Sequence, residues 1–229
     1  YYTYGFDNKA NYQICNPRYS IGRTKFDLKI KNVGAKKKDI KNISLKLIGK
    51  YNVLNATAAI ALCLNLGLKI KVVKQALKNF SGVQRRLTKV FKKNNVEFYD
   101  DYAHHPTEIK SVLEAMRKVS PKRKIITIFQ PHRYSRVKNL NLEFASCFKH
   151  TDQIILCPVY SAGEVVDKKY NKIKFANLIS QFSQTQVIII KDELDLTKYF
   201  KKNLKKNEIV IGMGAGTISK WMYKLEKNL

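Results

Sequence analysis

The arrangement that most constrains the fold is a regular alternation of aliphatic runs and amphipathic stretches beyond residue 95. Five runs rich in Ile, Val and Phe have the composition of buried strands, at 96–99, 124–129, 153–157, 186–190 and 208–211. Stretches with helical periodicity follow them, at 107–119, 139–149, 174–182, 194–202 and 217–226. Nearly continuous aliphatic strands that alternate with helices predict an α/β fold with a mostly parallel sheet, covered on both faces.

The first part of the chain follows a different pattern. Short β-like runs at 1–6, 12–15, 25–31 and 43–48 are separated by Asn, Gly, Pro and Lys, which predicts β hairpins and loops. Helical stretches follow at 52–65 and 70–79. The glycine-containing loop that leads to Arg86 is a natural boundary, so we expect one domain at 1–88 and a second at 89–229.

Asn52 and Asn55 are spaced to share one face of the first turn of the helix predicted at 52–65. An Asn in this position usually caps the helix, because its side-chain oxygen accepts an orphan backbone N–H. The same amide group also suits the edge of a nucleic base, since it carries both a donor and an acceptor. The residues alone favour the cap.

The chain of 229 residues has a net charge of +27, which raises the question of a nucleic-acid partner. Only eight of the 44 basic residues are Arg, and the Lys residues are scattered. This distribution is typical of solvated surfaces, so we expect no nucleic-acid partner. The sequence has no signal peptide and no long apolar run, which predicts a cytoplasmic protein without membrane insertion. The four Cys lie at no metal-ligand spacing, and no metal site is expected among them.

Polar clusters follow the predicted strands. The first is the stretch 100–108, Asp-Asp-Tyr-Ala-His-His-Pro-Thr-Glu, which comes directly after the strand at 96–99. Adjacent carboxylates repel and histidine titrates near neutrality, so this crowding indicates a site more than a capped turn. Ligands of parallel sheets bind beyond the carboxyl ends of the strands, and we expect these clusters to share that edge.

The second cluster is the stretch 130–136, Gln-Pro-His-Arg-Tyr-Ser-Arg. It combines a titratable group, His132, with two guanidinium forks, Arg133 and Arg136, that suit carboxylate or phosphate oxygens. Further clusters lie at 158–164 and in the glycine-rich stretch 212–217. Gly-x-Gly-x-Gly by itself is a weak indication of a phosphate-binding loop.

Six stretches occur in the order found in one enzyme family: Thr-Tyr-Gly-Phe at 3–6, Gly-Lys-Tyr-Asn-Val-Leu-Asn-Ala at 49–56, Gly-Val-Gln-Arg-Arg-Leu at 82–87, and the stretches 100–108, 130–136 and 159–164. Together they resemble the carboxyl-terminal half of the Mur ligases, and among these the ligases that join L-alanine to UDP-N-acetylmuramate. The resemblance runs essentially from end to end. The stretches 100–108 and 130–136 carry most of its specificity.

The resemblance implies an ATP-dependent carboxylate-amine ligase of peptidoglycan synthesis, of which this chain is an incomplete part. The family has a UDP-binding domain, a central ATPase domain and a Rossmann-like carboxyl-terminal domain, so 1–88 would end the central domain and 89–229 would form the last. ATP and Mg²⁺ convert the muramate carboxyl into an acyl phosphate, which the amine of L-alanine attacks. The implied partners are UDP-N-acetylmuramate, L-alanine, ATP and the amino-terminal domains of the same enzyme.

The resemblance also implies residues for the nucleotide. Asn52 and Asn55 would lie near the adenine, Arg86 near the ATP phosphates, and Asp101 near the ribose or phosphates. The sequence has no Gly-x-x-x-x-Gly-Lys-Ser/Thr loop, so the triphosphate cradle and the Mg²⁺ ligands are expected upstream. We therefore expect that this chain alone neither hydrolyses ATP nor forms the amide.

On the L-alanine and acyl-phosphate side, the resemblance implies Tyr102, His104, His132, Arg133 and Arg136. All but His132 would bind the substrate, and all but Tyr102 would be catalytic. Arg suits the alanine carboxylate and neutralises phosphate charge in the tetrahedral intermediate, while His orients the substrate or accepts a proton.

Two departures from the family and two alternative functions remain. Tyr51 stands where the family usually has His, and Thr217 stands where it commonly has Asp. A murein-peptide recycling ligase, which attaches a peptide in place of L-alanine, has a stretch like 100–108, but 130–136 favours the alanine enzyme. A basic nucleic-acid-binding module would interleave aromatic and Arg residues on one face, which the sequence lacks.

Overall fold

The computed structural model of the protein describes residues 1–33 and 38–229. The chain divides into two compact units. The first consists of Tyr1–Gly82 together with Lys118–Ser120, and the second of Val83–Arg117 together with Pro121–Leu229. Each unit contains its own sheet and its own hydrophobic core.

The first unit is a four-stranded sheet with two helices. The strands lie in chain order as β1 (Tyr4–Gly5), β2 (Tyr12–Ser20), β3 (Arg23–Ile30) and β4 (Lys38–Leu45). β1 runs parallel to β2, and the other neighbours are antiparallel, as the predicted hairpins require. The helices are α1 (Lys50–Asn65) and α2 (Ile70–Asn79).

The core of the first unit follows from alternation along β3. Its residues Phe26, Leu28 and Ile30 are buried while their neighbours face outward, because successive side chains of a strand point to opposite faces. They share one apolar cluster with Val53 and Ile60 of α1. The cluster attaches α1 to the sheet.

The helix cap predicted at Asn52 is wrong. α1 begins two residues earlier, at Lys50, and Gly49 occupies the capping position without a side-chain bond. The side chain of Asn52 instead donates to the carbonyl of Ile48, with 2.8 Å between Nδ2 and O. Asn55, one turn further on, is exposed.

The second unit contains a six-stranded sheet. In spatial order its strands are β5 (Thr88–Lys93), β6 (Val96–Asp101), β10 (Ile209–Met213), β7 (Ile125–Phe129), β8 (Gln153–Leu156) and β9 (Gln186–Ile189). β5 pairs antiparallel with β6, and every other pair is parallel. The predicted α/β fold with a mostly parallel sheet is confirmed.

Helices cover this sheet on both faces. They are α3 (Pro106–Val119), α4 (Tyr134–Asn139), α5 (Asn141–Ser146), α6 (Lys172–Ser183), α7 (Glu193–Asn203) and α8 (Ile218–Asn228). On one face, Ile126 and Ile128 of β7 share a cluster with residues of α7 and α8. On the other, the ring of Phe129 lies 5.6 Å from that of Phe144 in α5, measured between centroids.

Three details differ from the predictions. Asp100 and Asp101 belong to β6 rather than to the loop after it. The single helix predicted at 139–149 is two short helices, α4 and α5, separated at Leu140. The edge strand β5 was not predicted, because its sequence carries three Lys and only one of its six residues, Phe91, is buried.

In the described part of the chain, no helix combines the length and the apolar character that crossing a membrane requires.

Candidate functional site

The loops after the parallel strands of the second unit meet at one edge, as predicted. β6, β10, β7 and β8 run in the same direction, so their carboxyl ends lie side by side. The loops after β7 and β8 are joined directly by an isolated bridge between His132 and Tyr160. Tyr160 N donates to Pro131 O at 2.8 Å, and Arg133 N donates to Tyr160 O at 2.9 Å.

Four rings form a row along this edge. The ring of Tyr102 lies 5.1 Å from that of His104, and His104 lies 5.6 Å from His132, between centroids. Tyr160 continues the row at 5.5 Å from His132. The structure therefore brings together two histidines that are 28 positions apart in the sequence, from the two stretches that were predicted to form the site.

The partners of the two histidines determine different tautomers. His104 Nδ1 lies 2.9 Å from the carbonyl oxygen of Tyr102, which can only accept, so Nδ1 carries the proton and Nε2 keeps its lone pair. His132 Nδ1 lies 3.2 Å from Nη1 of Arg136, which can only donate, so a neutral His132 carries its proton on Nε2. His104 thus presents an acceptor and His132 presents a donor.

His132 is held in its neutral form. Burial lowers the pKa of His132, and the positive charges of Arg136 and Arg133, and of His104 when it is protonated, lower it further, while Glu164 acts in the opposite direction. A neutral imidazole can accept the bond from Arg136, whereas an imidazolium cannot. The low pKa and the observed hydrogen bond therefore support each other.

The two arginines lie at the start of α4. Arg133 is exposed and has a left-handed backbone, with φ of 69°, held by the bond from its N–H to Tyr160. Arg136 lies one turn further and is half-buried. Glu164 accepts from both the N–H and the hydroxyl of Ser135, which lies between them. The hydrogen bonds to Ser135 hold the pKa of Glu164 below its ordinary value.

Glu108 organises the turn that carries His104. Its Oε2 accepts from the N–H groups of His104 at 3.1 Å and His105 at 3.2 Å, and it lies 3.4 Å from His104 Nδ1. Burial alone would raise the pKa of Glu108, but the two backbone N–H bonds together with the charges of His104 and Arg86 outweigh burial, so the pKa is lowered. The ionised Glu108 fixes the backbone of the turn at the start of α3, where a negative charge is favourable.

Asp101 is almost completely buried, with 1% of its surface exposed. Its two carboxylate oxygens each accept a backbone N–H at 2.7 Å, from Leu87 and from Ala103. Burial raises the pKa of Asp101 to about 6, although the two N–H bonds and Arg86 act against that rise. The carboxylate ties the loop before β5 to the loop after β6.

The loop tied by Asp101 holds Arg86 between two residues with left-handed backbones, Arg85 with φ of 61° and Leu87 with φ of 49°. Such conformations are uncommon outside glycine and persist only where surrounding contacts fix them. Here the contacts are the bond from Leu87 N–H to Asp101 and the bond from Tyr102 N–H to Arg85 O at 2.7 Å. Arg86 itself is exposed.

The glycine-rich stretch packs against protein groups. A Cβ on Gly216 would lie 2.5 Å from Cγ of Tyr160 and 2.6 Å from Oε1 of Gln130. Gln130 also accepts from the N–H of Ile218 and donates to the hydroxyl of Thr217. The first turn of α8 is therefore capped by Gln130, and Thr217 takes part in that cap.

The remaining predicted residues, Asn52 and Asn55, lie on α1 in the first unit. Sequence reasoning missed four residues of this edge: Arg85, Gln130, Tyr160 and Glu164. Each lies inside a stretch that had been singled out, so adjacency to Arg86 or to the strand ends was the available signal. Within residues 1–33 and 38–229, no three His, Cys, Asp or Glu side chains are grouped closely enough to hold a metal ion.

Comparisons with known proteins show which family the chain resembles. Residues 85–216 match the model of the Mur ligase glutamate ligase domain. The UDP-N-acetylmuramate–L-alanine ligase of Pelagibacter ubique is 44% identical over 225 residues, which are 98% of this chain and 48% of that protein. The chain spans about half the length of the curated relatives it matches.

Solved structures of two ligases share the fold of this chain. The UDP-N-acetylmuramate–alanine ligase of Thermotoga maritima is 27% identical, with a TM-score of 0.79 over 99% of this chain and 47% of that one. A murein peptide ligase of Psychrobacter arcticus, 20% identical, has the same fold with a TM-score of 0.65 over 99% of this chain and 45% of that one. With a family model that matches more than half of its residues, the chain belongs to the Mur ligase family.

Proposed function

We propose that this chain is part of an ATP-dependent ligase that joins L-alanine to UDP-N-acetylmuramate in the synthesis of peptidoglycan precursors. The observation that carries the proposal is the row of Tyr102, His104 and His132 beside Arg133 and Arg136 at one sheet edge. In this proposal 1–88 end the central ATP-binding domain and 89–229 are the carboxyl-terminal domain. The likeness to the Pelagibacter ubique and Thermotoga maritima ligases supports the same assignment.

The proposed reaction has two steps. First, the muramate carboxylate takes the γ-phosphoryl group of ATP, which gives an acyl phosphate and ADP. The amine of L-alanine then attacks the acyl carbon, the tetrahedral intermediate expels phosphate, and the nitrogen loses a proton. The second step needs a proton acceptor near the amine and positive charge near the phosphate oxygens.

His104 is the proposed proton acceptor. Its Nδ1–H is engaged by the carbonyl of Tyr102, which leaves the lone pair of Nε2 for the proton of the alanine amine. His132, with its proton on Nε2, suits the donation of a hydrogen bond to the oxygen that becomes negative in the intermediate. The different tautomers therefore support different roles for the two histidines.

Arg133 and Arg136 are the proposed partners of the alanine carboxylate and the acyl phosphate. In the described part of the chain, neither forms an ion pair with a carboxylate, so no acidic side chain occupies their guanidinium groups. Guanidinium groups bind carboxylate and phosphate oxygens in a bidentate geometry. Tyr102, which is more than one-third exposed, adds a ring beside His104 that suits the small methyl group.

The residues proposed for the nucleotide are Asn52, Asn55, Arg86 and Asp101. Arg86 is exposed and suits the ATP phosphates, while Asn52 and Asn55 suit the adenine. Asp101 is the proposed residue for the ribose or phosphate side, although its two oxygens already accept backbone N–H groups. Mg²⁺ would neutralise the phosphate charge when bound, and we propose that its ligands lie elsewhere in the complete enzyme.

The experiment is a phosphate-release assay of the complete enzyme with ATP, Mg²⁺ and UDP-N-acetylmuramate. We expect release that depends on L-alanine, and none from the 229-residue chain alone. Release that requires a peptide in place of L-alanine would instead support a recycling ligase. A gel shift with DNA or RNA at low salt, lost steeply as salt rises, would support a nucleic-acid-binding module.

A further inference from the structure

The loop after β8 holds the start of α4 at two points. Tyr160 O accepts from the N–H of Arg133 at 2.9 Å, directly before the helix. Glu164 then accepts from the N–H of Ser135 at 3.1 Å and from its hydroxyl, in the first turn. Both contacts lie within two residues of Arg133.

α4 needs such support because it is short. It has six residues and ends before Leu140, and a helix of this length is not stable by itself. Its buried residue Val137 attaches the inner side to the core, but that contact does not orient the first turn. The backbone at Arg133 is also left-handed, which costs free energy unless neighbouring contacts fix it.

A turn directs Glu164 towards α4. Glu164 N donates to Ser161 O at 3.1 Å, and Ala162 and Gly163 between them have φ of 51° and 87°. Both carboxylate oxygens of Glu164 then face Ser135 and not a guanidinium. The acid is therefore close to the arginines without occupying the groups that would bind a substrate carboxylate.

From these contacts we propose that Glu164 is a positioning residue of the amino-acid site: by holding Ser135 in the first turn of α4, it fixes the directions of Arg133 and Arg136 towards the carboxylate of the incoming amino acid. This role rests on the proposed ligase function. Glu164 acts through the helix and does not touch the substrate. Its loss should weaken the binding of L-alanine and leave the binding of ATP unchanged.

The kinetic test uses the complete enzyme with Glu164→Ala, Ser135→Ala and both together. We expect Glu164→Ala to raise the KM for L-alanine about tenfold, since small displacements of binding groups have effects of this size or larger. The KM for ATP should not change. Ser135→Ala keeps the N–H bond and should have a smaller effect, and it should add nothing in the Glu164→Ala background. Glu164→Gln, whose amide oxygen can still accept one of the two bonds, should restore part of the affinity.

Asp167→Asn is the matched control, because it removes a carboxylate of the same loop, and this carboxylate accepts the local N–H of Lys169. It should leave the KM for L-alanine as it is. The proposal is overturned if Glu164→Ala changes nothing. It is also overturned if the effects of Ser135→Ala and Glu164→Ala on this KM add up in the double variant, since Glu164 would then act without Ser135.

A second measurement does not depend on activity. In NMR spectra of the 229-residue chain, the amide of Ser135 should shift as Glu164 titrates, below the ordinary Glu pKa of 4.5, and Glu164→Gln should abolish that shift. A Ser135 amide whose chemical shift does not change with pH in this range would contradict its contact with Glu164. A complete enzyme without L-alanine-dependent turnover would count against the ligase function, whereas the Ser135 amide would still decide the contact.

Discussion

The guanidinium carbon of Arg85 lies 4.7 Å from the centre of the Tyr102 ring. The same guanidinium donates from Nη2 to Gly214 O at 2.6 Å and lies with Nε 3.7 Å from Oδ2 of the buried Asp100. Arg85 thus connects the ring that is proposed to face the amino acid, the glycine-rich stretch and the interior of the sheet. Its neighbour Arg86 is exposed and has the same charge, which makes the pair a natural comparison.

We predict that Arg85→Ala destabilises the chain by roughly 2 kcal/mol more than Arg86→Ala, because it leaves the carboxylate of Asp100 buried without its cation. Equilibrium unfolding in urea of the two variants measures the difference. Arg85→Lys should recover part of it, since a Lys keeps the charge but not the planar contact with Tyr102. Equal stabilities of the two Ala variants would show that Arg85 does not stabilise the core.

The raised pKa of Asp101 predicts how the stability of the chain depends on pH. Its pKa is raised from 3.8 to about 6 in the folded chain, so the folded state binds the proton more tightly than the unfolded state. The resulting stabilisation is fully present below pH 3.8 and is lost as pH rises through about 6. The gap between the two pKa values corresponds to roughly 3 kcal/mol.

Urea unfolding of the natural chain and of Asp101→Asn at a series of pH values isolates this contribution, because the other carboxylates are common to both. The free energy of unfolding of the Asn variant should include a constant offset from that of the natural chain, because the Asn side chain can accept only one of the two N–H bonds. Beyond this offset, the free energy of unfolding of the variant, relative to the natural chain, should rise between pH 4 and pH 6.5. Two curves that stay parallel over this range would contradict the raised pKa of Asp101.

His104 is predicted to act through Nε2. In the complete enzyme, His104→Asn places an N–H donor where Nδ1 was and removes the acceptor, so it should lower kcat about 10²-fold or more, as the loss of a general base does. His104→Ala should lower kcat to a similar degree. His105→Ala is the control: His105 is adjacent and exposed, and its ring accepts the local N–H of Thr107. Activity retained in His104→Asn would show that Nε2 is not the proton acceptor.

Gly216→Ala should disturb the row of rings. A methyl group there would overlap Tyr160 and Gln130, and crowding of this kind typically costs about 1 to 3 kcal/mol. Because Tyr160 lies against His132, the ring resonances of His132 should shift in the NMR spectrum. At Gly163 a Cβ would meet nothing within 4 Å, so Gly163→Ala bears only the cost of its left-handed backbone. An unshifted His132 in Gly216→Ala would refute this packing.

The sequence allowed the second sheet to be predicted because its central strands are aliphatic and regularly spaced. It also predicted that the stretches 100–108 and 130–136 would meet, and the His104 to His132 contact confirms this. The nucleotide and substrate roles of the individual residues stay predictions.

Three structural features were not predicted from the sequence, each for a physical reason. Asp100 and Asp101 were placed in a loop, because buried carboxylates in a strand are rare and depend on partners distant in sequence, such as Ser219. The break at Leu140 has no Gly or Pro to mark it. The support that Glu164 gives to Ser135 depends on a contact across 29 positions, which periodicity does not encode.

The position of the two acids in β6 has a consequence for variation in length. Successive side chains of a strand point to opposite faces, so Asp100 reaches Ser219 of α8 while Asp101 reaches Leu87 and Ala103. Insertion or deletion of one residue within β6 would exchange the two faces and separate both acids from their partners. The Asn94 and Asn95 turn between β5 and β6 carries no such restriction. Among relatives, we expect insertions to accumulate at that turn and to be absent between Val96 and Ala103.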